Sequence, residues 1–182
     1  MHNLYRTLSA FTDKKNETIN VVIDIPKGSS NKYEYDEERG YFKLDRVLYH
    51  HMFYPFDYGF IPQTHYDDSD AVDVVLLTTY PTFPGCVIKA RVIGGIDTRD
   101  EKGSDLKVIA VPITKIDPRF SHIESYKDLN EHQQQELLIH FKEIKKLEKE
   151  KYDKVVINGF VSRIAALSGI KKAVRAYNEK HS

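Results

Sequence analysis

The apolar positions of this chain of 182 residues change period once. Through the first two thirds they come in short β-branched runs. INVVIDI at residues 19–25 is closed by Pro26 and the turn KGSSN, and residues 32–35 and 41–44 flank DEERG as a hairpin. Residues 72–79, 87–94 and 107–111 continue as strands, with PTFPG before Val87 and EKGS before Lys107. No helical pattern separates them, so parallel βαβ winding is disfavoured and a barrel or sandwich is predicted. Helix comes late. Asn130 with Gln133 makes a capping box, and Leu137, Leu138, Phe141, Ile144 and Glu148 follow the 3.6-residue spacing. A strand over 154–161 then leads through Ser162 as N-cap into a second helix with Ile164, Leu167, Ile170, Val174 and Tyr177 inward. The expected fold is mainly β with α: one small β-barrel with two packed helices in the C-terminal half, a single domain over residues 1–182.

Composition narrows the chemistry. A chain of this size buries roughly 70% of its unfolded surface and needs no staples. Its single cysteine, Cys86, excludes an intramolecular disulfide and Cys-rich metal motifs, and fits a reducing cytoplasm. The opening MHNLYRTLSAFTDKK lacks the apolar run of a secretory signal, and no stretch approaches the ~20 apolar residues of a membrane span. Lysine plus arginine (27) equals aspartate plus glutamate (27), so no net basic field attracts nucleic acid. The charge is segregated, with acid in two central clusters and base over 142–154.

The first acidic cluster is HYDDSDAVDVV, residues 65–75, which has four aspartates in the seven positions from Asp67 to Asp73 and runs directly into an apolar strand. Like charges packed this closely repel unless a cation neutralises them. Asp68 and Asp70 share a face of an extended segment, and Asp73 joins them if the chain turns between. The second cluster, DTRDEKGSDLK at 97–107, offers Asp100, Glu101 and Asp105 around a Gly103 turn. Oxygen donors without cysteine or paired-histidine spacing select magnesium, manganese or calcium over zinc. A calcium loop of EF-hand type starting at Asp68 fails, because its glycine position holds Asp73 and its glutamate position Thr79. A solvated loop is the usual explanation of a charge run; Asp73, set among Val72, Val74 and Val75, argues against it. Magnesium held by a few carboxylates serves phosphate substrates, and phosphate-binding groups are at hand: Lys32 with Glu34 in KYEYD, Arg46 in LDRVL, and Tyr54 and Tyr58 in FYPFDYGFIP.

Taken in order, IDIPKGSSNKYEYD, LDRVL, MFYPFDYGFIPQT, DDSDAVDVVLL, PTFPGCVIKARVIG and DEKGSDLKVIAVP resemble the family I soluble inorganic pyrophosphatases in their short prokaryotic form. The spacing D-x-D-x-x-D at Asp68, Asp70 and Asp73 is the most specific element. The resemblance implies an OB-type five-stranded closed barrel whose mouth holds three or four magnesium ions, with manganese as a substitute, and one pyrophosphate. It implies that Asp68, Asp73 and Asp105 hold the tightest metal, Asp73 also touching the second, and that Asp100 and Asp105, with Glu101 beside them, bind a metal delivered with substrate. Asp24 and Glu34 act through metal-bound waters. Lys32 and Arg46 grip one phosphoryl group, Tyr58, Lys107 and Lys145 meet the other, and Tyr54 supports the cluster. The resemblance further implies that two metals generate and clamp an attacking hydroxide, with Asp70, the middle aspartate, as the candidate general base.

Two positions depart from the family pattern. Asp24 stands where glutamate is usual, one methylene shorter. Ile144 precedes Lys145 where a tyrosine is usual, with Tyr152 as the candidate replacement; Lys142, Lys145 and Lys146 offer competing registers. His50 and His51, adjacent on a strand, are expected to point apart and pack. His140 resembles a trimer contact of the family's hexamers, which are two stacked trimers. Cys86 is expected in the core, and the lysines after Lys142 on a solvated face, Lys145 and Lys151 excepted. Two other readings stand: a pyrophosphate- and metal-binding relative with weakened turnover, and an OB-type single-strand nucleic-acid module, against which the acidic mouth argues.

Overall fold

The computed structural model describes residues 3–13, 15, 17–67, 70–100 and 103–181. Its strands are β1 (Phe11–Asp13), β2 (Thr18–Ile25), β3 (Asn31–Asp36), β4 (Tyr41–Val47), β5 (Asp57–Phe60), β6 (Asp73–Leu76), β7 (Val87–Asp100), β8 (Gly103–Pro112) and β9 (Val156–Ser162). The helices are α1 (Leu4–Thr7), α2 (Glu131–Glu143), α3 (Lys149–Tyr152) and α4 (Arg163–His181). Pairings run β2–β5–β6–β8–β7 and return from β7 to β2, closing a five-stranded barrel as expected. Only the β6–β8 pairing within it is parallel. Strands β1 and β9 extend the sheet, and β3–β4 form a separate hairpin. Among the described residues no helix is long and apolar enough to cross a membrane.

Period-2 alternation distributes the side chains. On β8, Leu106, Val108 and Ala110 pack with Ala166, Leu167, Ile170 and Ala173 of α4. Ile109 and Val111 point the other way, toward Leu137 and Phe141 of α2. Asp105 and Lys107 therefore share the α2 face. Three of the β-bulges among the described residues then re-aim polar residues, as bulges do beside functional sites. In β2 the extra residue is Asp24, between the pairs Ile23↔Gly59 and Ile25↔Tyr58. In β4 it is Asp45, between Lys32↔Arg46 and Tyr33↔Leu44. In β7 it is Ile93, between Val92↔Ala110 and Gly94↔Ile109. That last bulge flips the alternation, so Ile96, Thr98 and Asp100 face the α2 side while Ile88, Ala90 and Val92 face α4. Gly59 permits the β2–β5 contact, since a β-carbon there would stand 2.0 Å from the Val22 carbonyl oxygen.

Several expectations need correction. Strand β5 lies inside FYPFDYGFIP, a segment not among the expected strands; all four of its residues are buried. Strand β7 continues through Gly94 and Gly95 to Asp100. Helix α2 has the expected capping box but ends at Glu143, so Glu148 lies beyond it as the residue preceding α3. Ser162 caps α4 by accepting from the Ala165 N–H at 3.2 Å, but Ile164 is 79% exposed; Ala166 and Ala173 complete the inward stripe. His50 and His51 sit in a bend, their rings 5.8 Å apart. His50 Nδ1 accepts from the Met52 N–H, which leaves Nε2–H to donate to the Glu143 carbonyl at 3.0 Å and close the C-terminus of α2. Cys86 is half-buried just before β7 and packs against the α4-side core.

Candidate active site

The barrel mouth opens into a cavity of about 610 Å³. Into it converge Asp24 from β2, Lys32 and Glu34 from β3, Arg46 from β4, Tyr58 from β5, Asp73 from β6, Asp100 from β7, and Asp105 and Lys107 from β8. Tyr54, Asp70, Ile144 and Lys145 complete the wall. Residues as far apart in sequence as Asp24 and Lys145, 121 positions, thus reach one chamber. Asp68 and Glu101 lie outside the described residues.

At the floor, the Lys107 ammonium contacts both Asp73 and Asp105. Its stem passes the Tyr58 and Phe141 rings, with Nζ 5.8 and 6.0 Å from their centroids. Burial would lower the ammonium pKa, but Asp105 and then Asp73 outweigh burial and hold it well above its usual value. Across the floor, burial first and the charge of Asp73 second push the Asp24 carboxyl well above the usual carboxylate range. Its Oδ1 is buried and has no hydrogen-bond partner. Burial likewise raises the Tyr58 and Tyr54 hydroxyls, keeping both protonated as donors. On the rim, Lys32 contacts Glu34 and reaches Asp45 at 3.5 Å, and Lys145 donates to Asp100 at 2.8 Å. Lys145 lines the cavity, whereas Lys142 donates to the Val155 carbonyl and Lys146 bonds Glu143.

Three acids not assigned to the site from sequence complete the electrostatics. Asp45, the bulged residue, stands between Lys32 and Arg46. Glu148 accepts from Arg46 at 2.9 Å and from Lys151 at 2.7 Å, with its side chain 9% exposed. Glu37, at the hairpin tip, has its carboxyl pushed up to about 7, by burial first and by the charge of Asp70 second. None of the three carried a distinguishing signal, since Glu148 shares the basic run 142–154 with Glu143, Glu150 and Asp153. Two expected roles do not match the geometry. Tyr152 donates to Glu143 at 3.1 Å and is not among the cavity walls, so it supplies no hydroxyl to replace the one missing at Ile144. His140 is 2% exposed within its own chain, with its ring centroid 5.0 Å from Tyr54 and 4.9 Å from Phe56. An interface residue would be exposed in the single chain; this ring fills the core.

Could these residues hold a metal? Among the described residues no three His, Cys, Asp or Glu side chains form a metal cage by themselves. Magnesium does not need one, since it is commonly held by one or two carboxylates, with water and phosphate oxygens completing its shell. The orphaned Asp24 oxygen and the carboxylates that already enclose an ammonium suit a hard cation.

Buried carboxylates interleaved with lysines and an arginine in the mouth of a closed barrel define an enzyme site for a small, highly charged phosphate anion and its cations. The sequence profile of inorganic pyrophosphatase matches residues 21–178. The inorganic pyrophosphatase of Saccharolobus solfataricus is 51% identical over 161 residues, 88% of this chain and 92% of that protein. That of Geobacillus stearothermophilus is 43% identical over 91% of this chain and 98% of its own length. The crystal structure of inorganic pyrophosphatase from Thermus thermophilus superposes with a TM-score of 0.89 at 42% identity, covering 97% of this chain and 99% of that one. The chain belongs to the inorganic pyrophosphatase family.

Proposed function

We propose that the chain, acting as one domain, hydrolyses pyrophosphate to two orthophosphates with several magnesium ions, manganese being the oxygen-preferring substitute. The observation that carries this reading is the Lys107 ammonium seated between Asp73 and Asp105, with the unpartnered Asp24 oxygen across the same cavity. Asp73, Asp100 and Asp105, with Asp68 and Glu101, would hold the ions, while Asp24 and Glu34 would act through their waters. When bound, such ions lower the pKa of water and screen the phosphate oxygens.

The chain's own groups do the rest. Lys32 and Arg46 grip one phosphoryl group, and Tyr58, Lys107 and Lys145 donate to the other. Asp70, exposed on the cavity rim, takes the proton from the water that attacks phosphorus as the bond to the bridging oxygen breaks. The cationic groups stabilise charge that moves onto the departing phosphate. The assembly proposed is a hexamer of two stacked trimers and the compartment a reducing cytoplasm, the first resting on family resemblance and the second on the lone half-buried cysteine.

The test is orthophosphate release from pyrophosphate with and without magnesium. Magnesium-dependent turnover is expected, falling about 10²–10⁴-fold in Asp70→Asn while pyrophosphate binding persists. Binding without turnover in the wild type would instead identify a weakened relative, caused by the departures at Asp24 and Ile144.

A further inference from the structure

We infer that the N-terminal segment 3–8 is a strut that sets the position of the phosphate-gripping hairpin, with Asn3 and Tyr35 as positioning residues for the reaction. This inference rests on the hydrolytic reading above. The segment precedes the family-matched stretch, which begins at residue 21.

The hairpin carries Lys32, Glu34, Asp45 and Arg46 yet shares no sheet ladder with the barrel. At its root it is fixed by backbone bonds, Leu48 N–H to the Ser30 carbonyl (2.8 Å) and Tyr54 N–H to the Ser29 carbonyl (3.0 Å). A two-stranded hairpin anchored only at its root would swing. Arg46 ties the hairpin to Glu148, and its far end is held by the strut. The Tyr35 hydroxyl accepts from the Leu4 N–H at 2.8 Å and donates to Asn3 Oδ1 at 3.3 Å, while Asn3 Nδ2 donates to the Glu37 carbonyl at 2.8 Å. The Tyr35 ring stacks on Phe60 of the barrel, with centroids 5.3 Å apart.

The other end of the strut is anchored beside the aspartate loop. Tyr5 is 3% exposed, packs edge-on against Tyr177 of α4, and donates to the Thr64 carbonyl at 2.6 Å. Thr64 Oγ1 in turn accepts from the Val72 N–H at 2.9 Å, one residue before Asp73. One short segment therefore spans the cation-bearing hairpin and the carboxylate-bearing strand, the two halves that must close on one substrate. A 1 Å error in such spacing can cost a large factor in rate.

The test uses the full chain with Tyr35→Phe, Asn3→Ala, the double variant, and Ile170→Val as a control that loosens the α4 core. Expected are a KM for pyrophosphate raised about three- to tenfold in each single variant with kcat within about twofold, and a double variant no worse than the poorer single one because both act through one contact. Ile170→Val should lower Tm and leave KM unchanged. Amide exchange over residues 31–47 should quicken in Tyr35→Phe, a readout independent of turnover. Unchanged exchange there, or KM rising equally in Ile170→Val, overturns the strut. An inactive wild type whose hairpin still loosens would remove the hydrolytic reading and leave the strut standing.

Discussion

Replacing Lys107 by methionine separates its two jobs, as counter-ion for Asp73 and Asp105 and as phosphate donor. Methionine keeps much of the stem that lies along Tyr58 and Phe141 and removes the charge. With the ammonium in direct contact with both carboxylates, the two anions lie about 5–6 Å apart, given ordinary hydrogen-bond lengths. At an effective dielectric near 20 they repel by about 3 kcal/mol once the cation is gone, in line with the roughly 3–5 kcal/mol lost when one partner of a buried ion pair is deleted. The side chains of Asp73 and Asp105 are 28% and 10% exposed, so solvent screening removes little of this. For a chain of this length that is a fall in Tm of about 6–12 °C with metal chelated. Saturating magnesium should then stabilise Lys107→Met more than the wild type, because in the wild type the ions compete with the ammonium for the same oxygens. Thermal unfolding in chelator and in millimolar magnesium reads both effects, and pyrophosphate hydrolysis should fall about ten- to a hundredfold through the lost donor. A wild-type Tm in chelator, or an equal gain from magnesium in both proteins, would refute the counter-ion argument.

Other predictions follow the same geometry. Ile144 lines the cavity directly before Lys145, so Ile144→Tyr should add a donor and raise kcat/KM for pyrophosphate by roughly ten- to a hundredfold; steady-state kinetics showing no change would sink it. His140 is held down to about 3 by burial, with His50 as the lesser cause. Its depressed pKa means that the stability of the neutral ring is complete above pH 6.5 and lost as pH falls toward 3, on the order of 5 kcal/mol across the window. His140→Phe should flatten that slope in urea titrations at stepped pH, and an unaltered slope would assign it to other groups.

The aspartate spacing, the apolar strand that follows it and the order of the six motifs were legible because they are local. So were the α2 capping box and the start of α4, where one side chain meets a backbone N–H three residues away. Strand β5 was not, since four residues between prolines carry no period and gain their structure from neighbours on both edges. Asp45 and Glu148 were missed for a related reason: their partners are set by pairing and packing, and Arg46 meets Glu148 across 102 positions.

The sequence by itself determined which chemical groups are present, hard oxygen donors with lysines and an arginine, and the alternation that sends Asp105 and Lys107 to one face of their strand. The tertiary structure decided which of those groups meet. An inserted residue at Ile93 turns Asp100 into the mouth, another brings Asp24 to its floor with one carboxylate oxygen unpartnered, and a third sets Asp45 between Lys32 and Arg46. A bulge is visible only against the partner strand, because one extra residue changes nothing in the local pattern and reverses every side chain beyond it.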